Sequence, residues 1–413
     1  MKPECRFCGS SLETTMVDLG MHPLCESFIT EPQLEDMEPF YPLHVRVCGE
    51  CYLAQIGEFV APDVIFDDYA YFSSFSEAWL EHARSYVTMM MERFDLGAAA
   101  KIVEIASNDG YLLQYFLTEG FDVLGIEPAR NVADAAIARG IPTKVEFFNE
   151  ELASRLVSEG VRADVLLGNN VMAHTPDING FVAGIRVALA PRGVATFEFP
   201  HILRLLEGNQ FDTIYHEHWS YLSLGTVKRV LEAHELEIFD VEELWTHGGS
   251  IRIFVAHAGD ETKEVNESVE RLLGLEDAAG LGELATYQAF GERVKDTKRR
   301  LLDLLIEAKD AGSSIAVYGA AGKGNTLLNY CGIGPDFIDY ACDKNPYKHG
   351  RYTPGTHIPI FGPERIRETR PDLVLILPWN IQDEIMSQLS YISEWGGKFI
   401  VPIPEPRVVE RAA

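Results

Sequence analysis

Between residues 101 and 200, short apolar runs alternate with amphipathic stretches, and this alternation limits the fold more than any other feature. Residues 101–106 (KIVEIA) read as a buried strand, and residues 111–119 as a helix. A second strand, 121–127, ends on Glu127; a helix over 131–139 follows. Residues 163–167 form a further strand that runs into the loop 168–174. A helix over 181–189 and a strand over 193–199 complete the pattern. Strands spaced by helices in this way lie parallel, with helices on both faces: a doubly wound α/β sheet. Such sheets bind ligands beyond the carboxyl ends of their strands. The turn 107–110, Glu127 and the loop 169–174 are therefore the first places to look for chemistry.

The turn narrows the ligand. A dinucleotide fold needs G-x-G-x-x-G to bring backbone against a pyrophosphate. Here only Gly110 is present; Ala106 and Asn108 stand where glycines are expected. S-adenosylmethionine carries no phosphate and needs no such approach. It does need an acceptor for its ribose hydroxyls, which Glu127 supplies. Glu104, Asn108, Asp109, Gly110 and Asn169 are candidates for the remaining contacts. Upstream, residues 68–76 are rich in aromatic and hydroxyl groups and lead into a helix over 77–93. Tyr71 and Ser74 there either cap that helix or line the cofactor pocket.

A second alternating unit begins near residue 312. A strand over 314–318 enters the glycine-rich turn 319–326. This is not a P-loop, because Gly324 rather than Ser or Thr follows Lys323. The turn does suit a diphosphate at a helix N-terminus. Gly322, Lys323, Asn325, Asp343, Trp379 and Asn380 lie at turns and strand ends of this Rossmann-like unit and are its candidate substrate contacts. His247, Gly248 and Gly249 form a turn that either approaches a bound substrate or makes a plain hairpin. The charged residues 261–311 read as a helical linker.

Two Cys-x-x-Cys knuckles, Cys5/Cys8 and Cys48/Cys51, stand at the N-terminus. Four thiolates from two knuckles make a closed tetrahedral zinc site with no open position, so the metal is structural. A redox pair is the alternative, but neither knuckle opens a strand-to-helix unit. Cys25 falls outside the set. The chain has 413 residues, enough for two or three domains. Its net charge of -28 argues against nucleic acid and anionic membranes as partners. No apolar run is long enough for a signal or a membrane span, and a cytoplasmic location is expected.

Residues 211–221 hold Tyr215, His216, Glu217 and His218 on consecutive positions. Four proton-sharing groups in a row make either an acid/base centre or a polar turn before a helix.

Together these motifs resemble the sugar C-methyltransferases of deoxysugar biosynthesis. They are the two knuckles, EIASNDG (104–110), NNVMAH (169–174), YHEH (215–218), HGG (247–249) and YGAAGKGNT (318–326). They occur in the family's order over nearly the whole chain. The resemblance implies a zinc-binding domain (1–65), a central S-adenosylmethionine-dependent class I methyltransferase domain (66–260), the linker (261–311), and a C-terminal domain (312–413) for an NDP-4-keto-deoxysugar carrying dTDP or another NDP. The family methylates carbon 3 in most cases and carbon 5 in some. Its catalytic motif falls on Tyr215, Glu217 and His218, its upstream histidine on His174, and its aromatic–Ser–Ser segment on 71–74. The departure at Ala106–Ser107, where the family often has Gly-Cys, alters packing under the methionine moiety.

The chemistry needs a base for a proton next to a ketone and a donor for the enolate oxygen. His218 suits the base, oriented by Glu217, and Tyr215 the donor. His174 suits either role, and the reverse assignment of Tyr215 and His218 stays open. So do two other classes: a nucleotide-dependent oxidoreductase and a non-catalytic zinc-containing binding protein. The oligomeric state is left open, with a monomer compatible.

Overall fold

The computed structural model describes residues 3–65 and 72–410. The chain forms two compact units that do not follow its linear order. The first comprises Met1–Leu12, Cys48–Ile202 and Glu217–Gly282; the second comprises Glu13–Val47, Leu203–His216 and Glu283–Ala413. The cysteine knuckles thus belong to the first unit, whereas Glu13–Val47 between them belongs to the second. One boundary falls between His216 and Glu217, inside the YHEH run.

The first unit is built on a seven-stranded sheet. In spatial order its strands are Leu236–Leu244, Ser250–His257, Leu189–Pro200, Ala163–Asn169, Lys101–Ile105, Asp122–Ile126 and Thr143–Lys144. The last five are parallel to one another; the first two form an antiparallel hairpin along the edge, joined antiparallel to Leu189–Pro200. The central parallel strands are mainly apolar because helices cover both faces. On one face Ala83, Tyr86, Val87 and Met90 of the helix Glu77–Phe94 pack with Val123, Val165 and Phe254. On the other, Phe181, Val182 and Ile185 of Ile178–Ala188 pack with Leu166 and Phe197. The doubly wound class I architecture is the one expected, with the antiparallel hairpin added. Ser76 caps the helix Glu77–Phe94, its side chain accepting the Trp79 N–H at 3.3 Å.

The second unit holds a six-stranded sheet in the order Ile360–Phe361, Tyr340–Cys342, Ile315–Tyr318, Leu373–Ile376, Lys398–Val401 and Arg407–Val409. All pairs are parallel except the last. An antiparallel pair, Thr14–His22 with Tyr41–Val47, also belongs to this unit. The helix Leu284–Asp310 buries Tyr287, Phe290, Val294, Leu301 and Leu305. It packs so closely on the first strand that a Cβ at Gly291 would stand 2.7 Å from the Met16 carbonyl oxygen. This helix, read from sequence as linker, is a core element of the second unit. Among the described residues no helix is long and apolar enough to cross a membrane.

Candidate active site

The turn after Lys101–Ile105 is shaped by three left-handed positions, Ala106 (φ 54°), Asn108 (φ 49°) and Gly110 (φ 78°). The positions where glycine was expected thus do adopt the conformation that favours it. At Gly110 the requirement is strict, since a Cβ would lie 2.1 Å from Ile141 Cδ1. Glu127, at the carboxyl end of Asp122–Ile126, closes the turn. Its Oε2 accepts the Asn108 N–H at 2.9 Å and its Oε1 the Ala129 N–H at 2.8 Å. Burial pushes its pKa up to about 7, against the pull of those two N–H groups. Glu104 is fully buried and is held well above the usual carboxylate range by burial, then by Glu127 and Asp109. That favours its protonated form, a donor rather than an anion.

Asn108 and Asp109 reach back to the aromatic–hydroxyl segment. Asn108 Oδ1 accepts the Ser73 N–H at 2.8 Å, and Asp109 Oδ2 accepts from Ser74 Oγ. Arg139 bonds both Asp109 Oδ2, at 3.1 Å, and Ser74 Oγ, at 3.0 Å. Ser74 is therefore tied to the cofactor turn rather than used as a helix cap. Tyr71 lies outside the described residues. Asn169 donates to the Tyr111 hydroxyl at 3.4 Å, and its buried Oδ1 has no protein partner. A polar atom left in that state beside the turn suits a ligand donor.

His174 and His218 come together in the same unit. Their ring centroids are 4.6 Å apart at 80°, and Tyr221 lies 6.3 Å from His218. Burial, then the neighbouring His247, lower the His174 pKa to about 4, so this imidazole is neutral near pH 7. Glu217 is buried beside His218 in sequence, whereas His218 is partly exposed. His216 faces elsewhere: it is buried in the second unit, edge-on to Tyr41 at 5.9 Å, and its pKa is lowered by burial. Tyr215, partly buried, also belongs to that unit. The boundary between the two units thus falls within the four consecutive groups.

The knuckles position the histidines. The Cys5–Cys51, Cys8–Cys48 and Cys8–Cys51 sulfur pairs are 3.6, 3.5 and 3.7 Å apart, and all four sulfurs lie within 4.8 Å of one another. A tetrahedron with metal–sulfur bonds of about 2.3 Å has edges of about 3.8 Å, so the set fits zinc. Disulfides, at about 2.05 Å, are ruled out by these distances. Gln55 Nε2 donates to Cys5 Sγ at 3.2 Å. Just beyond Cys51, Ala54–Gln55 pairs antiparallel with Ser220–Tyr221, and the Ile56 N–H bonds Trp219 O at 3.1 Å. Arg6, inside the first knuckle, donates to Pro176 O at 2.9 Å. The metal site thus anchors the segments carrying both His174 and His218. Cys25 lies outside the cluster, in the second unit.

In the second unit the glycine turn opens the helix Gly322–Cys331. Lys323 donates to Asn380 Oδ1 and lies 5.2 Å from the Trp379 ring centroid. Asp343 accepts the N–H groups of Ala320 and Asn345, each at 2.8 Å, and so braces the turn. Asn325 is buried and donates to Cys25 O at 2.6 Å. Glu26 takes the Gly322 N–H, a position that an anion at the helix start would otherwise use. Lys323 with Asn380 and Trp379 is the side of the turn better suited to a diphosphate.

His247 (φ 53°), Gly248 (φ 89°) and Gly249 (φ 117°) are in the first unit, all with positive φ. His247 Nε2 lies 3.3 Å from Asn170 Nδ2, and its ring meets Trp79 edge-on at 5.3 Å. Sequence reasoning missed the network beneath. Glu198 is fully buried at the end of a parallel strand and accepts from His82 at 2.8 Å, Thr246 Oγ1 at 2.8 Å and Arg252 at 3.0 Å. His82, Arg252 and Thr246 hold its pKa low despite burial. A lone carboxylate in the apolar run VATFEF was the available signal. Arg139 carried no local signal at all.

Family models match in three pieces: a "Putative zinc binding domain" over residues 5–66, a methyltransferase domain over 79–241, and a C-methyltransferase C-terminal domain over 245–404. The C-methyltransferase NovU of Streptomyces niveus is 37% identical over 406 residues, covering 98% of this chain and 96% of that protein. Among solved structures, an S-adenosylmethionine-dependent methyltransferase of Clostridium acetobutylicum matches 44% of this chain and 92% of its own at 9% identity and TM-score 0.35. Magnesium protoporphyrin IX methyltransferase of Synechocystis matches 48% and 92% at 10% identity and TM-score 0.35. Likenesses that weak carry no weight for function.

Proposed function

Because this chain belongs to the S-adenosylmethionine-dependent C-methyltransferase family that its motifs resemble, we propose that its acceptor is the carbon next to the ketone of an NDP-4-keto-deoxysugar, with C3 the expected position. The observation that carries this reading is the imidazole pair His174–His218, 4.6 Å apart in the unit that bears the cofactor turn. Deprotonating a carbon next to a ketone is what such a pair can do; transfer to oxygen or nitrogen needs less.

S-adenosylmethionine supplies an electrophilic methyl group. Glu127, Asn108, Asp109, Gly110, Asn169 and Ser74 are the groups that would hold it, with Glu104 beneath the turn. His218 takes the carbon-bound proton, and Glu217 orients it and favours the imidazolium that results. Tyr215 donates to the enolate oxygen. His174, neutral through burial, helps to hold the His218 ring or the substrate oxygen. His247, Gly248 and Gly249 face the sugar. In the second unit Lys323, Asn380 and Trp379 hold the nucleotide, while Gly322, Asn325 and Asp343 shape the turn. Knuckle sulfurs that hold a metal rather than form disulfides suit a reducing compartment such as the cytoplasm.

The test is a mass spectrum of products from a panel of NDP-4-ketosugars incubated with S-adenosylmethionine. The reading expects a gain of one methyl group on carbon, with solvent deuterium entering the same position before transfer. Methylation on oxygen or nitrogen, or none on any ketosugar, overturns it.

A further inference from the structure

Side chains of the nucleotide-side loops converge on the segment just before Tyr215. Trp379 Nε1 donates to Asp212 Oδ2 at 2.7 Å, and Thr326 Oγ1 donates to the Ile214 carbonyl at 3.0 Å. Lys323 lies 5.2 Å from the centroid of the same Trp379 ring; burial pushes the Asp212 pKa up to about 6, against the pull of that ammonium and of the Trp379 N–H. The same ammonium donates to Asn380. Asp212 is fully buried, and the N–H groups of Asp212 and Thr213 also favour its carboxylate. All of these residues belong to the second unit. Burying a carboxylate is costly even when it is hydrogen-bonded. Its placement between Lys323 and the Tyr215 segment calls for another explanation.

We propose that Asp212 is a positioning residue: it shares Lys323 with the diphosphate of the substrate and so couples nucleotide binding to the placement of Tyr215. Without nucleotide, the ammonium donates to Asn380 and lies over the Trp379 ring that also holds Asp212. An anionic diphosphate competes with Asp212 for it. The Trp379–Asp212 and Thr326–Ile214 bonds keep the main chain before Tyr215 in register with the glycine turn throughout. The inference rests on the reading of Lys323 as the diphosphate contact.

Thymidine diphosphate and uridine diphosphate are titrated by calorimetry into the full-length wild type, D212N and T326V. Turnover and KM are measured for each with the accepted ketosugar nucleotide. D212N keeps an acceptor for Trp379 but loses the charge that competes for Lys323. It is expected to bind the diphosphate about tenfold tighter and to turn over about tenfold more slowly. T326V, nearly isosteric, is expected to leave diphosphate affinity unchanged and to lower kcat severalfold. Loss of fold does not move affinity and turnover in opposite directions, and T326V stands alone should D212N fold poorly. Unchanged or weaker diphosphate binding by D212N, or an unchanged kcat in either variant, overturns the coupling. Should the wild type bind neither diphosphate, the nucleotide reading itself falls, and the coupling with it.

Discussion

Burial holds Glu127 at a pKa of about 7, so the carboxyl that is to meet the ribose hydroxyls is only partly ionised near neutral pH. The ionised form is the better acceptor. Cofactor binding therefore favours the anion, and affinity rises as pH increases through about 7. Calorimetry from pH 6 to 8 should show this slope in the wild type and a flat profile in Glu127→Gln. The sign for folding is opposite. A carboxyl whose folded pKa is raised contributes stability that is present below its unfolded value, near 4.5, and lost as pH rises through about 7. His218 carries a second prediction. His218→Asn keeps size and a polar group but no basicity, so methyl transfer should fall roughly 10²-fold with both ligands still bound. His174, at about 4, is not the group whose ionisation the rate follows. The midpoint of the pH–rate profile should therefore survive His174→Asn. If His218→Asn still exchanges the carbon-bound hydrogen with deuterated water while Tyr215→Phe does not, the tyrosine is the base.

Among the elements, the helix Leu284–Asp310 is the one whose role changed most between sequence and structure. Its apolar spacing was visible, but its charge suggested an exposed connector. Gly291 shows why it is not: the helix axis approaches the strand Thr14–His22 so closely that a Cβ would meet the Met16 carbonyl at 2.7 Å. Backbone cannot yield as a side-chain end can. Gly291→Ala gains about 1 kcal/mol of helix propensity and loses about 1–3 kcal/mol to overpacking. The melting temperature should fall, and a raised one would show that the contact is slack. Elements whose apolar residues follow one period, such as Glu77–Phe94 and Lys101–Ile105, were legible within a residue or two. The short strands Thr143–Lys144, Ala54–Gln55 and Ser220–Tyr221 were not, because two residues carry no period.

For the whole molecule, the metal site is a structural anchor. Purified protein should contain about one equivalent of zinc. Stripping it with a chelator should lower the melting temperature, because Arg6 and the Ala54–Gln55 pairing lose their support. Methyl transfer should fall too, since those contacts hold the His174 and His218 segments. Cys25→Ser should retain the metal. Zinc-free protein that melts and turns over like the wild type would refute the role.

The sequence alone determined the doubly wound sheet, the carboxyl-end location of the cofactor turn and the four cysteine ligands. Each rests on local period or fixed spacing, which survives without knowledge of partners. The tertiary structure alone decided that His216 and His218, two residues apart, serve different units. It alone placed Arg139 on Asp109 and Ser74, Glu198 among His82, Thr246 and Arg252, and Glu26 on Gly322. Those contacts join residues far apart in the chain, and a polar side chain carries no mark of its distant partner. What fixes such pairs is the demand that each buried polar group be met, and that demand becomes readable only when the chain has folded.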